Sequence, residues 1–343
     1  MRRAFEKSGR TAVLFGVPLF VVAFLGSAFA SPANERVIVN FFITLVLALS
    51  IQTFSGNSGI VSFGHVGFMG VGAYVAALTT IPPAIKTLTL PSLPGFLADV
   101  HLGLVASVLL AASVSALVAA ILGAPLSRMR EGAMTMATIS VLVIFFVVFD
   151  NWDQVTRGAQ GLFGIPRNTT IWWAVGFAVL TIALARLFRE SPVGTMLRAS
   201  RADPVAAEAL GANVVLLRWI AWPVSGFIMG MGGGLWAEYN VAFGPRQFFF
   251  SLTFALLAVL VVGGLGSVSG AVLGAVVVTA ASEIMRRVED RTGIGGLADM
   301  AVALMILLVL YRRPDGILGR VEADDALSRY ARRRRPDASP KAR

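Results

Sequence analysis

Gln52, Ser55, Asn57 and Ser58 crowd two amides and two hydroxyls into one short stretch, with Gly56 among them, Gly59 just after and apolar sequence on either side. Ser62 and His65 follow at once, then a Gly-rich run that reaches Tyr74. A second Gly-rich stretch carries Gly263, Gly264, Gly266, Ser267 and Gly270. The chemistry such residues offer is ligation rather than bond breaking. A helix interrupted inside an apolar run frees backbone N–H and C=O groups, which are tolerated only where they face a cavity or protein. For 55–59, where Gln52 and Asn57 add amide groups at the break, a polar pathway is the stronger reading. The residues proposed to line it are Gln52, Asn57, Ser58, Ser62, His65, Gly263, Gly264 and Ser267.

Packing competes with that reading elsewhere. Gly266, Gly270 and Gly274 form one four-residue ladder, and Gly226, Gly230 and Gly234 another. Small residues at this spacing are the usual contact between membrane helices, so both ladders read as packing faces. His65 inside a span is a functional candidate, and equally a lone imidazole bonded to a neighbouring carbonyl.

Several kinds of chemistry are excluded. The sequence has no Cys and two His, so it offers no disulfide framework and no Cys/His metal site. No Ser/His/Asp grouping or paired carboxylate offers catalysis. The run at 263–267 lacks the Lys-Ser/Thr that closes a phosphate loop, so the chain does not bind ATP by that route. No catalytic residue, metal or cofactor is expected.

The elements that must position these residues are apolar helices. The chain has 343 residues, of which 56% are hydrophobic and 14% charged, more apolar surface than a water-soluble core can use. Runs of about eighteen or more uncharged residues recur, each able to span the roughly 30 Å hydrocarbon layer. Spans are expected near 12–30, 37–54, 59–79, 102–124, 133–149, 171–188, 219–239, 251–265, 269–284 and 296–311. The fold class is therefore an all-α polytopic membrane protein of about ten transmembrane helices, in two pseudo-symmetric halves with broken helices. The weakest division is within 251–284. Residues 1–36 hold a basic start and a first span, 37–319 the main domain, and 320–343 an Arg-rich, Pro-containing tail that reads as disordered. Ala28-Phe29-Ala30 resembles a signal-peptide cleavage site, but the apolar run before it is longer than usual, which favours a retained span.

Charge sets the orientation, because Lys and Arg near span ends stay on the cytoplasmic side. Arg2, Arg3, Lys7 and Arg10 put the N-terminus inside, and ten crossings also bring Arg128, Arg130, Arg312, Arg313 and the 332–335 cluster inside. Arg286, Arg287 and Arg291 are then left outside, among Glu283, Glu289 and Asp290. The net charge of +10 has anionic lipid headgroups as its natural target. Nothing aromatic is interleaved with these arginines to stack on bases, so nucleic acid is not a partner.

One polar island, 189–218, interrupts the apolar sequence on the inner side. Asp203 suits an N-cap, Pro204 the first helical position and Gly211 the αL residue that ends a helix, so 204–210 reads as two turns. Ala206, Ala207 and Ala209 keep that helix slim, which lets a partner's groove approach. An ordinary helical linker on the membrane surface is the competing reading.

Three separated blocks together resemble the permease subunits of ATP-binding-cassette importers for branched-chain amino acids. The run from Ser58 to Ala77 resembles the N-terminal signature of the longer, M-type permease of the pair. The segment from Gly194 to Gly211 resembles the family's cytoplasmic coupling segment, with Gly194, Arg198, Arg201, Ala206, Ala207, Leu210 and Gly211 at matching places, and Pro204 opening the helix. Val261-Val-Gly-Gly-Leu-Gly-Ser267, Gly274 and Arg313-Pro-Asp-Gly-Ile-Leu-Gly319 resemble the third block. The likeness runs from about Phe41 to Gly319.

The resemblance implies a multi-pass protein of the bacterial inner membrane with both termini cytoplasmic. It implies three kinds of protein partner beyond membrane lipids: two ATPase subunits, a second homologous permease, and a periplasmic or extracellular binding protein that docks near loops 81–101 and 150–170. The chain itself is then a transport subunit and not an enzyme, with hydrolysis in the partners. Relatives of this type carry leucine, isoleucine and valine, other amino acids, or urea and short amides. The competing class is a gradient-driven channel or secondary transporter, whose mark is coupled buried carboxylates or a proton relay. A membrane enzyme comes third.

Overall fold

The computed structural model describes residues 2–29, 31–91, 93–319 and 322–323. Its first helices are α1 (Arg2–Phe29), α2 (Pro32–Ile51), α3 (His65–Thr80), α4 (Pro83–Thr89) and α5 (Gly95–Ala98). Then come α6 (Leu104–Leu126), α7 (Glu131–Asn151), the short α8 (Asp153–Thr156), α9 (Ile171–Glu190), α10 (Pro192–Ala202) and α11 (Pro204–Ala209). The chain closes with α12 (Val214–Asn240), α13 (Phe250–Gly263), α14 (Val268–Thr292) and α15 (Leu297–Arg312). Local sequence sets many of these starts. Ser31, Ser191, Asp203, Asn213 and Ser267 each cap a helix by accepting a backbone N–H, and Pro32, Pro192 and Pro204 follow three of them.

The helix count corrects the expected ten. Among the described residues, seven helices are long and apolar enough to cross a bilayer, or eight if α3 and α4, bent by 117° at their junction, form one span. The last helix, α15, has 16 residues. Sixteen residues rise about 24 Å at 1.5 Å each, short of a roughly 30 Å layer. The 251–284 stretch divides into α13 and α14 around a tight turn.

Buried α2 and α12 form the centre of the bundle. Some 78% of the apolar window of α2 is buried, against 28% for α7, which turns most of its surface outward. Small residues let α12 approach its neighbours. A Cβ on Gly230 would lie 2.7 Å from the Ala111 carbonyl of α6, and one on Gly72 of α3 would lie 2.4 Å from the Gly230 carbonyl. A Cβ on Gly226 would meet Ala119 at 2.4 Å, so this ladder packs against α6. The other ladder closes the α13–α14 hairpin, where a Cβ on Gly274 would be 2.0 Å from the Val259 carbonyl.

The loops at the far end from α11 are also tied down. β1 (Leu162–Phe163) pairs antiparallel with β2 (Ala242–Phe243), joining the loop before α9 to the one after α12. Glu238, near the end of α12, is fully buried, and the Ser107 hydroxyl donates a hydrogen bond to it.

Candidate functional site

The first helix break begins where α2 loosens into a π-turn over Gln52–Gly56 and then runs on, non-helical at 59–62, to α3. Its hydroxyls and amides mostly satisfy the freed backbone. Thr53 donates to the Leu49 carbonyl at 2.7 Å, Asn57 Nδ2 to the Thr53 carbonyl at 2.8 Å, and Ser62 N–H to Ser55 Oγ at 3.3 Å. Ser58 is buried and accepts from the Ile60 N–H at 3.2 Å. Gln52 differs: it is fully buried, and neither amide atom has a hydrogen-bond partner. Such a group is costly unless something fills its bonding capacity.

His65 opens α3 within an aromatic cluster. Its ring stacks on Trp222 of α12 at 5.2 Å, with Phe54 and Phe68 alongside. Nδ1 lies 2.8 Å from Ser62 Oγ and Nε2 3.1 Å from Ser225 Oγ. The Ser225 hydroxyl already donates to the Trp222 carbonyl at 3.0 Å, so it accepts from the imidazole. That assigns the proton to Nε2 and makes Nδ1 the acceptor from Ser62. The ring thereby joins the break to α12, and the expected carbonyl partner is replaced by two hydroxyls.

The two Gly-rich stretches meet. A Cβ on Gly56 would lie 2.5 Å from the Leu265 carbonyl, so the second break sits directly against the first. Within it, Gly264 has φ +117°, a conformation that favours glycine, and its Cα faces the backbone of Gly319. A Cβ on Gly263 would lie 1.9 Å from the Gly270 carbonyl. Ser267 caps α14 through the Gly270 N–H at 3.1 Å and donates to the Gly319 carbonyl at 3.2 Å. Gly263, Gly264 and Ser267 therefore make a tight hairpin packed on the chain after α15.

The polar island reaches the same place. Arg198 of α10 donates to Asn57 Oδ1 at 3.1 Å and to the Arg189 carbonyl. Arg201 donates to the Gly56 carbonyl at 3.4 Å, and its stem lies so close to Gly59 that a Cβ there would be 2.6 Å from Arg201 Cγ. Arg201 also lines a cavity of about 200 Å³ with Leu265, Gly266 and Asp315. Burial pushes the Arg198 guanidinium down to about 10, aided by the positive charges of Arg189 and Arg186 and opposed by Glu190 and Glu322. It stays charged at neutral pH. Gly194 permits the sharp α9–α10 bend, since a Cβ there would lie 2.1 Å from the Phe188 carbonyl.

Beyond α10, Asp203 accepts from the Ala206 N–H at 3.0 Å and α11 ends at Gly211, φ +88°. The Gly211 N–H reaches the Glu208 carbonyl and the Ala212 N–H the Ala207 carbonyl, the paired bonds of a Schellman cap. Ala207 is buried against the protein. Ala206 is exposed beside Val205 and Leu210, whose relative exposures are 75% and 89%. Pro204 is half-buried at the start of this knob.

A family model described as "Branched-chain amino acid transport system / permease component" matches residues 34–311. The chain belongs to that permease family. The high-affinity branched-chain amino acid transport system permease protein LivM of Salmonella typhimurium is 25% identical over 339 residues, covering 89% of this chain and 74% of that protein. The same-named Escherichia coli protein is 24% identical over equal coverage. A probable LivH permease of Methanocaldococcus jannaschii is 27% identical over 296 residues, covering 82% of this chain and 89% of its own. No solved structure matches.

The pathway and coupling residues singled out from sequence lie within the matched region, whereas the 313–319 block lies just beyond it. Sequence reasoning missed Trp222 and Ser225, which hold His65, and it missed the arginines of α9. It also read the segment from 320 as a disordered tail. Glu322 within it is buried and pairs with Arg186 and Arg189, while the residues after 323 lie outside the described ones. A lone Glu in an Arg-rich stretch carries no pattern that announces such a partner.

Proposed function

We propose that this chain is the transmembrane permease subunit of an ATP-driven importer and forms part of the translocation route for branched-chain or related amino acids. The observation that carries the reading is the direct contact between the exposed α11 knob's supporting helix and the helix break, through Arg198 to Asn57 and Arg201 to Gly56. A partner that pushes on α11 acts on a lever already bonded to the break. Two ATPase subunits supply that push on the cytoplasmic side, a second homologous permease completes the route, and an external binding protein delivers substrate at the loops tied by β1 and β2. On this proposal both chain termini lie in the cytoplasm, with α1 and the short α15 as further crossings that thin the bilayer locally.

ATP acts through states, not through contact with this chain. Its differential affinity for two arrangements of the ATPases biases two arrangements of the bundle. Gln52 supports the placement of the route: a fully buried amide with free donors and acceptors fits a polar solute passing the break. Urea or a short amide suits the same group, and the binding protein decides between these cargoes.

The test is ATP-dependent uptake in proteoliposomes that contain the chain with its partners, comparing wild type with Val205→Asp, Leu210→Asp. Both residues are exposed, so the bundle is expected to stay folded while ATPase association and uptake fall together. Uptake that needs no ATPase and ignores this variant sinks the reading in favour of a gradient-driven transporter, for which buried Glu238 is the carboxylate to examine.

A further inference from the structure

Glu322 follows α15 by ten positions and is 3% exposed. Its carboxylate pairs with Arg186 at 3.0 Å and with Arg189 at 2.7 Å, both near the end of α9. It also accepts the backbone N–H of Val268 at 2.9 Å, the N–H of Ser269 at 3.1 Å and the Ser269 hydroxyl at 2.8 Å. Val268 and Ser269 open the 25-residue α14, whose partial positive end favours an anion. The chain is led to this position by ladder-like bonds, Ile317 N–H to the Val262 carbonyl at 3.0 Å and Leu318 N–H to the Gly263 carbonyl at 3.1 Å. One carboxylate thus joins the end of α9, the start of α14 and the segment after α15.

The same arginine continues toward the helix break. The Arg189 carbonyl accepts from Arg198, and Arg198 holds Asn57. A connected set of polar contacts therefore runs from the start of α14 through Glu322 and Arg189 to Arg198 and the first break. A buried ion pair is a poor way to gain stability, because desolvation consumes most of the attraction, whereas breaking it leaves an uncompensated charge. It is well suited to fixing one arrangement against another.

We infer that Glu322 is a positioning residue for energy coupling: its carboxylate clamps the end of α9 to the start of α14, so that movement of α10 and α11 is delivered to both helix breaks. The inference rests on the importer reading of the function. Without the clamp, the same movement is absorbed at the α9–α10 bend.

The experiment uses the full chain assembled with its second permease, the ATPases and the binding protein in lipid nanodiscs. The quantity read is the ratio of hydrolysis stimulated by loaded binding protein to hydrolysis without it, with uptake measured in parallel proteoliposomes. Glu322→Gln keeps side-chain volume and one acceptor but removes the charge, and the ratio is expected to fall about tenfold, because charge-assisted bonds are roughly twice as strong as neutral ones. The double variant Glu322→Gln, Arg189→Gln is expected to fall no further, since both changes cut one tie. A complex that melts earlier yet keeps the wild-type ratio overturns the inference, leaving Glu322 a structural staple. If Glu322→Gln does not assemble, Glu322→Asp retains the charge on a shorter arm, and an intermediate ratio is expected; a wild-type ratio there also overturns it. Wild-type complexes that show no stimulation at all defeat the importer reading instead.

Discussion

Arg198 Nη1 lies 3.1 Å from Asn57 Oδ1, across 141 positions of sequence. The same guanidinium holds the carbonyl that ends near the α9–α10 bend. One side chain thus joins the cytoplasmic island to a helix break in the bundle. Replacing Arg198 by Ala is expected to reduce uptake at least tenfold, from loss of hydrogen bonds to a charged group worth about 1.5–3 kcal/mol. Arg198→Lys should recover only part, because Lys stops one atom short of Nη1, the nitrogen that donates both bonds, and its ammonium is a strongly hydrated point charge. Uptake rates normalised to assembled complex decide this, and equal rates for Lys and Arg refute it.

Gly211 has open space around the position of a Cβ but sits at φ +88°. The obstacle to a side chain there is backbone conformation alone. Gly211→Ala is expected to cost about 1–2 kcal/mol locally, and Gly211→Asn less, since Asn visits the left-handed region routinely. Proteolysis of the α11 loop in nanodiscs, faster for Ala than for Asn, is the measurement.

Gly72 of α3 and Gly230 of α12 touch through backbone, with a Cβ on Gly72 only 2.4 Å from the Gly230 carbonyl. Here backbone must move, and backbone does not yield as a flexible side chain does. Gly72→Ala is expected to destabilise the bundle by about 1–3 kcal/mol, the range for overpacking. Thermal unfolding in detergent should show a lower midpoint, whereas Gly132→Ala, with nothing within 4 Å, should not change it.

His65 stands between Ser62 and Ser225 with its ring on Trp222. Ser225→Ala leaves a buried Nε2–H without an acceptor, at a cost of about 1–3 kcal/mol. Tryptophan fluorescence, to which Trp222 contributes from beside the imidazole, is expected to shift in Ser225→Ala and in His65→Ala. A spectrum unchanged in both variants contradicts the assigned tautomer and stacking.

Much of the fold was legible in the sequence, for reasons that differ between segments. Apolar runs identified helices because a backbone in hydrocarbon has few other ways to satisfy its polar groups. Run length overstated the helices of full bilayer length, since α15 has only 16 residues. Capping was local and readable at Asp203, Pro204 and Gly211, where adjacent residues alone fix the backbone. The burial of Glu238 near the end of α12 was not legible, because nearness to a span end in sequence says nothing of what covers a side chain.

By itself the sequence determined that this protein is a bundle of membrane helices, that Gly-rich breaks interrupt it, and that a capped polar helix lies between apolar runs. These follow from composition, spacing and caps, which act over a few residues. Only the tertiary structure decided that the two breaks touch at Gly56 and Leu265, that Arg198 and Arg201 bind the first of them, and that Glu322 joins α9 to α14. Those relations link residues distant in the chain. They depend on how close the small residues of α12 let the helices come, and on which charges are then buried together.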